Sequence, residues 1–249
     1  MEFLGHGAFG LITKAAWVPY ITVFGFSEAI AWKLMPVIGG IDIFILGLSA
    51  LLLPVPAVIL YMSFWGLFTA FLRPLTGEGI WEFVERAYNF GVPFALFYLY
   101  RGATANCKFF RVNKPEGSFL TARHTRALIN ICKFVLAGML IGHGAIGVFY
   151  EKKIFITLYK SIGVPEDTLQ IFKLYVGYFE ILLGILCLFV ENIYFVLFIF
   201  LWKVLTEGIY FIAPVKGGYF EFMERGGSYT APLAMIFLLL WLKKSHQNT

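Results

Sequence analysis

The block Gly-His-Gly-Ala-x-Gly stands at Gly5–Gly10 and again at Gly142–Gly147 in a chain of 249 residues. A repeat at about half the chain length is the signature of internal duplication, and it narrows the fold to two copies of one unit. The correspondence runs on through both halves. Asp42 in Gly-Gly-Ile-Asp aligns with Glu180 in Gly-Tyr-Phe-Glu, and Trp65 and Thr69 align with Trp202 and Thr206. Glu82-Phe83-Val84-Glu85-Arg86 recurs as Glu221-Phe222-Met223-Glu224-Arg225, and Pro93 and Pro232 each follow the arginine by seven residues.

What each copy can be follows from its solvent. Hydrophobic residues make up 59% of the chain and charged residues 14%, against roughly 45–50% and 25% in a soluble domain. So many apolar runs, so close together, need a bilayer around them. No alternating barrel pattern is present, and helices then are the spanning structure that satisfies its own backbone. The runs Phe134–Tyr150, Leu174–Val190, Tyr194–Ile212 and Tyr229–Leu242 mark four helices in the second half. A start near Leu4, then Pro36–Leu53, Val58–Leu72 and Tyr88–Tyr100, mirrors them in the first. The expected fold is all-α and polytopic, with about eight transmembrane helices in two parallel four-helix repeats, residues 1–104 and 128–249, joined by a basic linker, 105–127.

Charge orients this arrangement. Arg101, Lys108, Arg111, Lys114, Arg123, Arg126 and Lys133 face the single acid Glu116, and the positive-inside rule places that connector in the cytoplasm. An even helix number per repeat puts both termini on the same side, with Lys243-Lys244 in agreement. The net charge of +5 thus belongs to membrane topology and not to nucleic-acid binding. Glu2 in place of a basic n-region argues against a removed signal peptide, and a prokaryotic or organellar inner membrane is the expected location. Residues 14–35 and 151–172 read as amphipathic interfacial stretches on the opposite face, together with the Glu-Phe-x-Glu-Arg segments. Three cysteines without a CxxC give neither a disulfide framework nor a dithiol pair.

Ionisable groups in a bilayer cost about 2.5–3.5 kcal/mol each on insertion scales, so they turn inward and pair. The expectation is one cluster per repeat: His6, Asp42, Glu82, Glu85 and Arg86 in the first, and His143, Glu180, Glu221, Glu224 and Arg225 in the second. A histidine beside a carboxylate exchanges protons near neutral pH, as a quinone-type headgroup requires. The structural alternative is that Glu82 with Arg86, and Glu221 with Arg225, bridge at i,i+4 spacing. Glu85 and Glu224, with no second arginine in the motif, are the freer carboxylates. The histidines have three readings: anchors for the next helix, proton relays, or haem ligands, His6 and His143 supplying one axial nitrogen each. Lys203 and Glu207 occur in the second half only and read as an intramembrane i,i+4 pair, or as a polar path or counter-ion. His6 lacks the leading half-helix that precedes His143, so the second cluster is favoured as the active one.

Gly-His-Gly, Lys153, Tyr159, Gly163-Val164-Pro165 and Tyr178-Phe179-Glu180-Ile181-Leu182-Leu183-Gly184 together resemble the DoxX-like four-helix membrane family over residues 128–242. The first half resembles a diverged copy, with Asp42 for the glutamate and no Gly-x-Pro turn. The resemblance implies a membrane subunit tied to sulfur or quinone redox chemistry, with partner subunits in the membrane or at its surface. An accessory or assembly subunit and a small-molecule transporter are the competing functions. No Walker loop, dinucleotide fingerprint, zincin pair or nucleophile elbow is present, and enzymatic activity stays open.

Overall fold

The computed structural model describes residues 1–104, 107–113 and 120–247, with side chains to Lys244. Much of the basic linker, including Lys114 and Glu116, therefore lies outside the described residues. Every regular element among the described residues is helical. The first half contains α1 (Glu2–Leu11), a 3-10 turn (Ala15–Trp17) running into α2 (Val18–Thr22), and α3 (Glu28–Gly40). A π-helical stretch, Ile41–Gly47, carries α3 into α4 (Leu48–Leu52); α5 (Pro56–Leu75), α6 (Ile80–Glu85) and α7 (Ala87–Gly102) follow. The second half contains α8 (Ala122–Phe149), α9 (Lys153–Ser161), α10 (Leu169–Phe189), α11 (Ile193–Gly208), α12 (Gly218–Glu224) and α13 (Gly226–Gln247).

Local chemistry explains the boundaries. The side chains of Ser27, Thr121 and Asn192 accept from the first free amides of α3, α8 and α11, the ordinary N-cap role. Pro56 sits in the first turn of α5, where its missing N–H costs nothing. Gly25 and Gly163 both take φ of +84° and turn the short helices α2 and α9 into the long ones that follow. Thr121 starts α8 inside the stretch read as linker, so residues 122–127 are helix.

Among the described residues six helical runs are long and apolar enough to cross a membrane: Glu28–Leu52, Pro56–Leu75, Ala122–Phe149, Leu169–Phe189, Ile193–Phe211 and Gly218–Lys244. Two of the eight expected spans are shorter. The 10 residues of α1 and 16 of α7 extend about 15 and 24 Å at 1.5 Å per residue, against about 30 Å of hydrocarbon. Phe44, Phe64, Leu205 and Phe237 are all more than 60% exposed, an outward apolar surface that suits lipid and not water. The chain has the architecture of a multi-pass membrane protein.

The long α8 is the hub, packing on α6, α7, α10 and α13 around Leu136, Met139, Leu140, Ile199 and Met235. Glycine brings the backbones together. A methyl group at Gly142 would strike the backbone of Glu85, and one at Gly5 the backbone of Glu224. Gly7 and Gly144 meet the carbonyls of Gly39 and Gly177 in the same way. Thus the first glycine of each repeated block receives a Glu-Arg segment from the opposite half of the chain, and the second receives the next long helix of its own half. Small residues are what permit such close crossings in a membrane.

Gly142→Val is expected to lower the thermal unfolding midpoint in detergent by the equivalent of about 1–3 kcal/mol, the usual cost of overpacking. Gly40→Ala, with no neighbouring atom within 4 Å, should leave the midpoint unchanged or raise it slightly through helix propensity.

Candidate functional site

Each repeated histidine meets the acid of the following helix. His6 Nδ1 lies 2.6 Å from Asp42 Oδ2, and His143 Nδ1 makes a short contact with Glu180 Oε2. Both carboxylates are completely buried. The expected pairing within each half is therefore present, and it leaves Nε2 of each ring for other contacts.

The Glu-Phe-x-Glu-Arg segments are not where the sequence reading put them. Lys152 Nζ binds Glu82 at 2.7 Å, and Lys14 Nζ binds Glu221 at 2.7 Å. Each segment docks beside the histidine helix of the other half, the reverse of the expected one-cluster-per-repeat grouping. The physical reason is the glycine contact: α6 lies on α8 at Gly142, and α12 lies on α1 at Gly5.

A second correction concerns Glu85. Expected to be free, it accepts from Arg86 at 2.8 Å and from Arg225 at 3.0 Å, because the crossed packing brings in an arginine its own motif lacks. Burial alone would push the Glu85 carboxyl up; the guanidiniums of Arg225 and Arg86 overcome it and hold the group well below the usual carboxylate range. Glu82 and Arg86 do form their i,i+4 bridge, at 2.9 Å, whereas Glu221 and Arg225 are 3.8 Å apart. Lys203 and Glu207 pair at 2.8 Å, and Lys203 reaches Glu180 at 3.6 Å. Arg225 Nε lies 3.6 Å from Glu207 Oε2.

A continuous chain of opposite charges thus runs from Glu180, which is bonded to His143, through Lys203, Glu207, Arg225 and Glu85 to Arg86, Glu82 and Lys152. Every carboxylate in it has a cationic partner. A polar cavity of about 180 Å³ sits over this chain, lined by His143, Glu85, Arg86, Glu221, Glu224, Arg225 and both lysines, Lys14 and Lys152.

The first half is differently filled. Trp202 Nε1 donates to Glu180 Oε1 at 3.0 Å, while Trp65 Nε1 and Asp42 Oδ1 at the corresponding positions are buried and unpartnered. Aspartate is one methylene shorter than glutamate, and Gly66 and Ala70 stand where the second half has Lys203 and Glu207. Beside His6 there opens an apolar cavity of about 170 Å³, walled by Trp17, Tyr20, Phe24, Trp65 and Phe68, with His6, Thr69, Arg86, Asn89, Glu224 and Arg73, itself bonded to Glu78, among its polar members. The gap beside His143, lined by Phe155, Tyr159 and Tyr210, holds about 20 Å³. The His6 ring packs against Trp17 with centroids 4.3 Å apart. Asn89 Oδ1 and Glu224 Oε2 are buried without hydrogen-bond partners.

Joint haem ligation by His6 and His143 does not fit this arrangement. His6 lines the apolar cavity, whereas His143 lines the polar one and the small gap beside Tyr210, and none of these three is lined by both. Among the described residues no group of three or more His, Cys, Asp or Glu side chains is placed to hold a metal ion.

Lys14, Lys152, Trp17, Trp65, Trp202 and Asn89 were not singled out as site residues from sequence. The two lysines carried a usable signal, since they follow His6 and His143 by eight and nine residues. Asn89 carried none, because its place at the cavity depends on α7 packing against α5. No family model matches the chain, and comparison with curated proteins and with solved structures returns no match.

Glu85→Gln should destabilise the protein by up to about 3–5 kcal/mol, the cost of removing one partner from a buried ion pair, less what Glu82 and Glu207 still give Arg86 and Arg225, as read from unfolding midpoints at pH 7. The sign of its pH dependence follows from a lowered folded-state pKa. The stabilisation is complete above the ordinary glutamate value of about 4.3 and disappears as pH falls through the folded-state value. The gap between wild type and Glu85→Gln should therefore hold steady from about pH 7 to pH 5 and narrow only in stronger acid.

Proposed function

We propose that this chain is a DoxX-like membrane protein of two parallel four-helix repeats, a redox-associated subunit that binds a quinone or similar lipid-soluble ligand beside His6. The observation that carries this reading is the aromatic cavity with His6, Arg86, Asn89 and Glu224 among its lining residues. Its volume of about 170 Å³ suits one ring, since an apolar cavity of about 150 Å³ takes up benzene. A largely apolar pocket with a few convergent polar groups is the general form of a small-molecule site.

In this reading α1 and α7 complete the eight helices as short members packed inside the bundle, and both termini face the cytoplasm with the basic linker. His6, oriented by Asp42, exchanges a proton with the headgroup, and the aromatic walls hold the ring. Partner subunits supply or remove electrons. The site lies beside His6, with Glu224 of the second motif in its wall, and not beside His143, the histidine that the sequence favours.

The accessory-subunit reading keeps a specific basis in the second half. The unbroken charge chain from His143 to Lys152, with about 20 Å³ beside the histidine, suits a lock between the two halves. Structural locking there and ligand binding beside His6 are compatible roles within one molecule.

Purified protein should bind a short-chain benzoquinone with quenching of tryptophan fluorescence, because Trp17 and Trp65 line the cavity. Ile38→Trp, which fills it, and His6→Ala should each weaken binding at least about tenfold, while His143→Ala leaves it near wild type. Absence of saturable binding, or equal loss in His6→Ala and His143→Ala, rejects the assignment.

A further inference from the structure

Resting on the ligand site proposed beside His6, we infer that the cavity selects the hydroxyl-bearing form of its ligand, a phenol or hydroquinone, over the carbonyl form. The basis is the polarity of the polar atoms left without partners. Glu224 is 7% exposed and Asn89 is 6% exposed. Both line the cavity, and the atoms they leave unpaired, Glu224 Oε2 and Asn89 Oδ1, are acceptors.

Lys14 and Arg86 are cations beside Glu224. Lys14 Nζ stands 3.9 Å from Oε2, too far for a hydrogen bond but close enough for ion pairing, and its own bond goes to Glu221 at 2.7 Å. Arg86, also in the cavity wall, is taken up by Glu82 and Glu85. The nearby cations therefore offset the charge of Glu224 without filling the acceptor position on Oε2. A buried acceptor in that condition costs about 1–3 kcal/mol until a donor arrives.

A quinone carbonyl brings no donor. A hydroxyl brings one, and it can also accept from Trp65 Nε1, the unpartnered donor in the same wall. Sites built to bond a hydroxyl reject analogues that lack it, because binding such an analogue leaves their own buried groups unpaired. The apolar walls contribute affinity for any ring of the right size, and Trp65 Nε1 can donate to either oxygen; Glu224 and Asn89, as acceptors, contribute the discrimination.

The test compares four probes on the purified full-length protein, by tryptophan quenching under anaerobic conditions: a 4-alkylphenol, its methyl ether, and a hydroquinone and quinone of matched tail. Tighter binding of the phenol and hydroquinone than of the ether and quinone, by about tenfold or more, is expected in the wild type. Glu224→Gln, which adds an amide donor at this position, should shift the preference toward the quinone. Equal affinity for all four probes overturns the inference, the unpaired atoms then being served by water, and leaves the ring-binding cavity standing. Binding of none of them overturns the ligand site itself. The wild-type comparison decides the matter even if Glu224→Gln does not fold.

Discussion

Backbone contact at glycine is the constraint from which the rest of this structure follows. Where Gly142 admits the backbone of Glu85, and Gly5 that of Glu224, each half lays a short charged helix directly on the histidine helix of the other. A side chain of any size would hold the helices apart, and the carboxylates of α6 and α12 would lose the arginine and lysine partners that make their burial tolerable. Charge burial in a medium of low dielectric is stable only when geometry supplies the counter-charge at hydrogen-bonding distance. Glu85, held between Arg86 and Arg225, is where that condition joins the two halves.

Small chemical differences between the matching sequence positions then give the two halves different interiors. In the second half the longer side chain of Glu180 reaches Trp202 and Lys203, and Lys203 with Glu207 fills the space next to the histidine. In the first, Asp42 falls short of Trp65, and Gly66 and Ala70 bring no charge. The backbone of Asn89 packs against Gly66, and the room left over becomes the aromatic cavity beside His6. The space beside Glu180 is thereby taken up by ion pairs, while that beside His6 keeps an apolar cavity with unpaired polar atoms in its wall. A ligand would be stabilised by the second kind of interior and excluded by the first.

Much of this was legible in the amino-acid pattern. Helical spans, the histidine–acid pairs and the i,i+4 bridges of Glu82 with Arg86 and Lys203 with Glu207 follow from periodicity and spacing, which are local properties of a helix. The crossing of the Glu-Phe-x-Glu-Arg segments was not legible. It depends on which helix approaches which, and a motif repeated in both halves reads identically whether it folds back on its own copy or onto the other. The assignment of Glu85 as a free carboxylate failed for that reason: its second arginine, Arg225, is 140 residues away.

By itself the sequence determined the solvent, the helical class and the chemical inventory, because apolar content and residue spacing act through the bilayer and through the turn of each helix. Only the tertiary structure decided how that inventory is shared between the halves and where space remains. Ion pairing and cavity volume depend on distances between helices. Those distances are set by packing at a few glycines, and by one methylene of difference between Asp42 and Glu180.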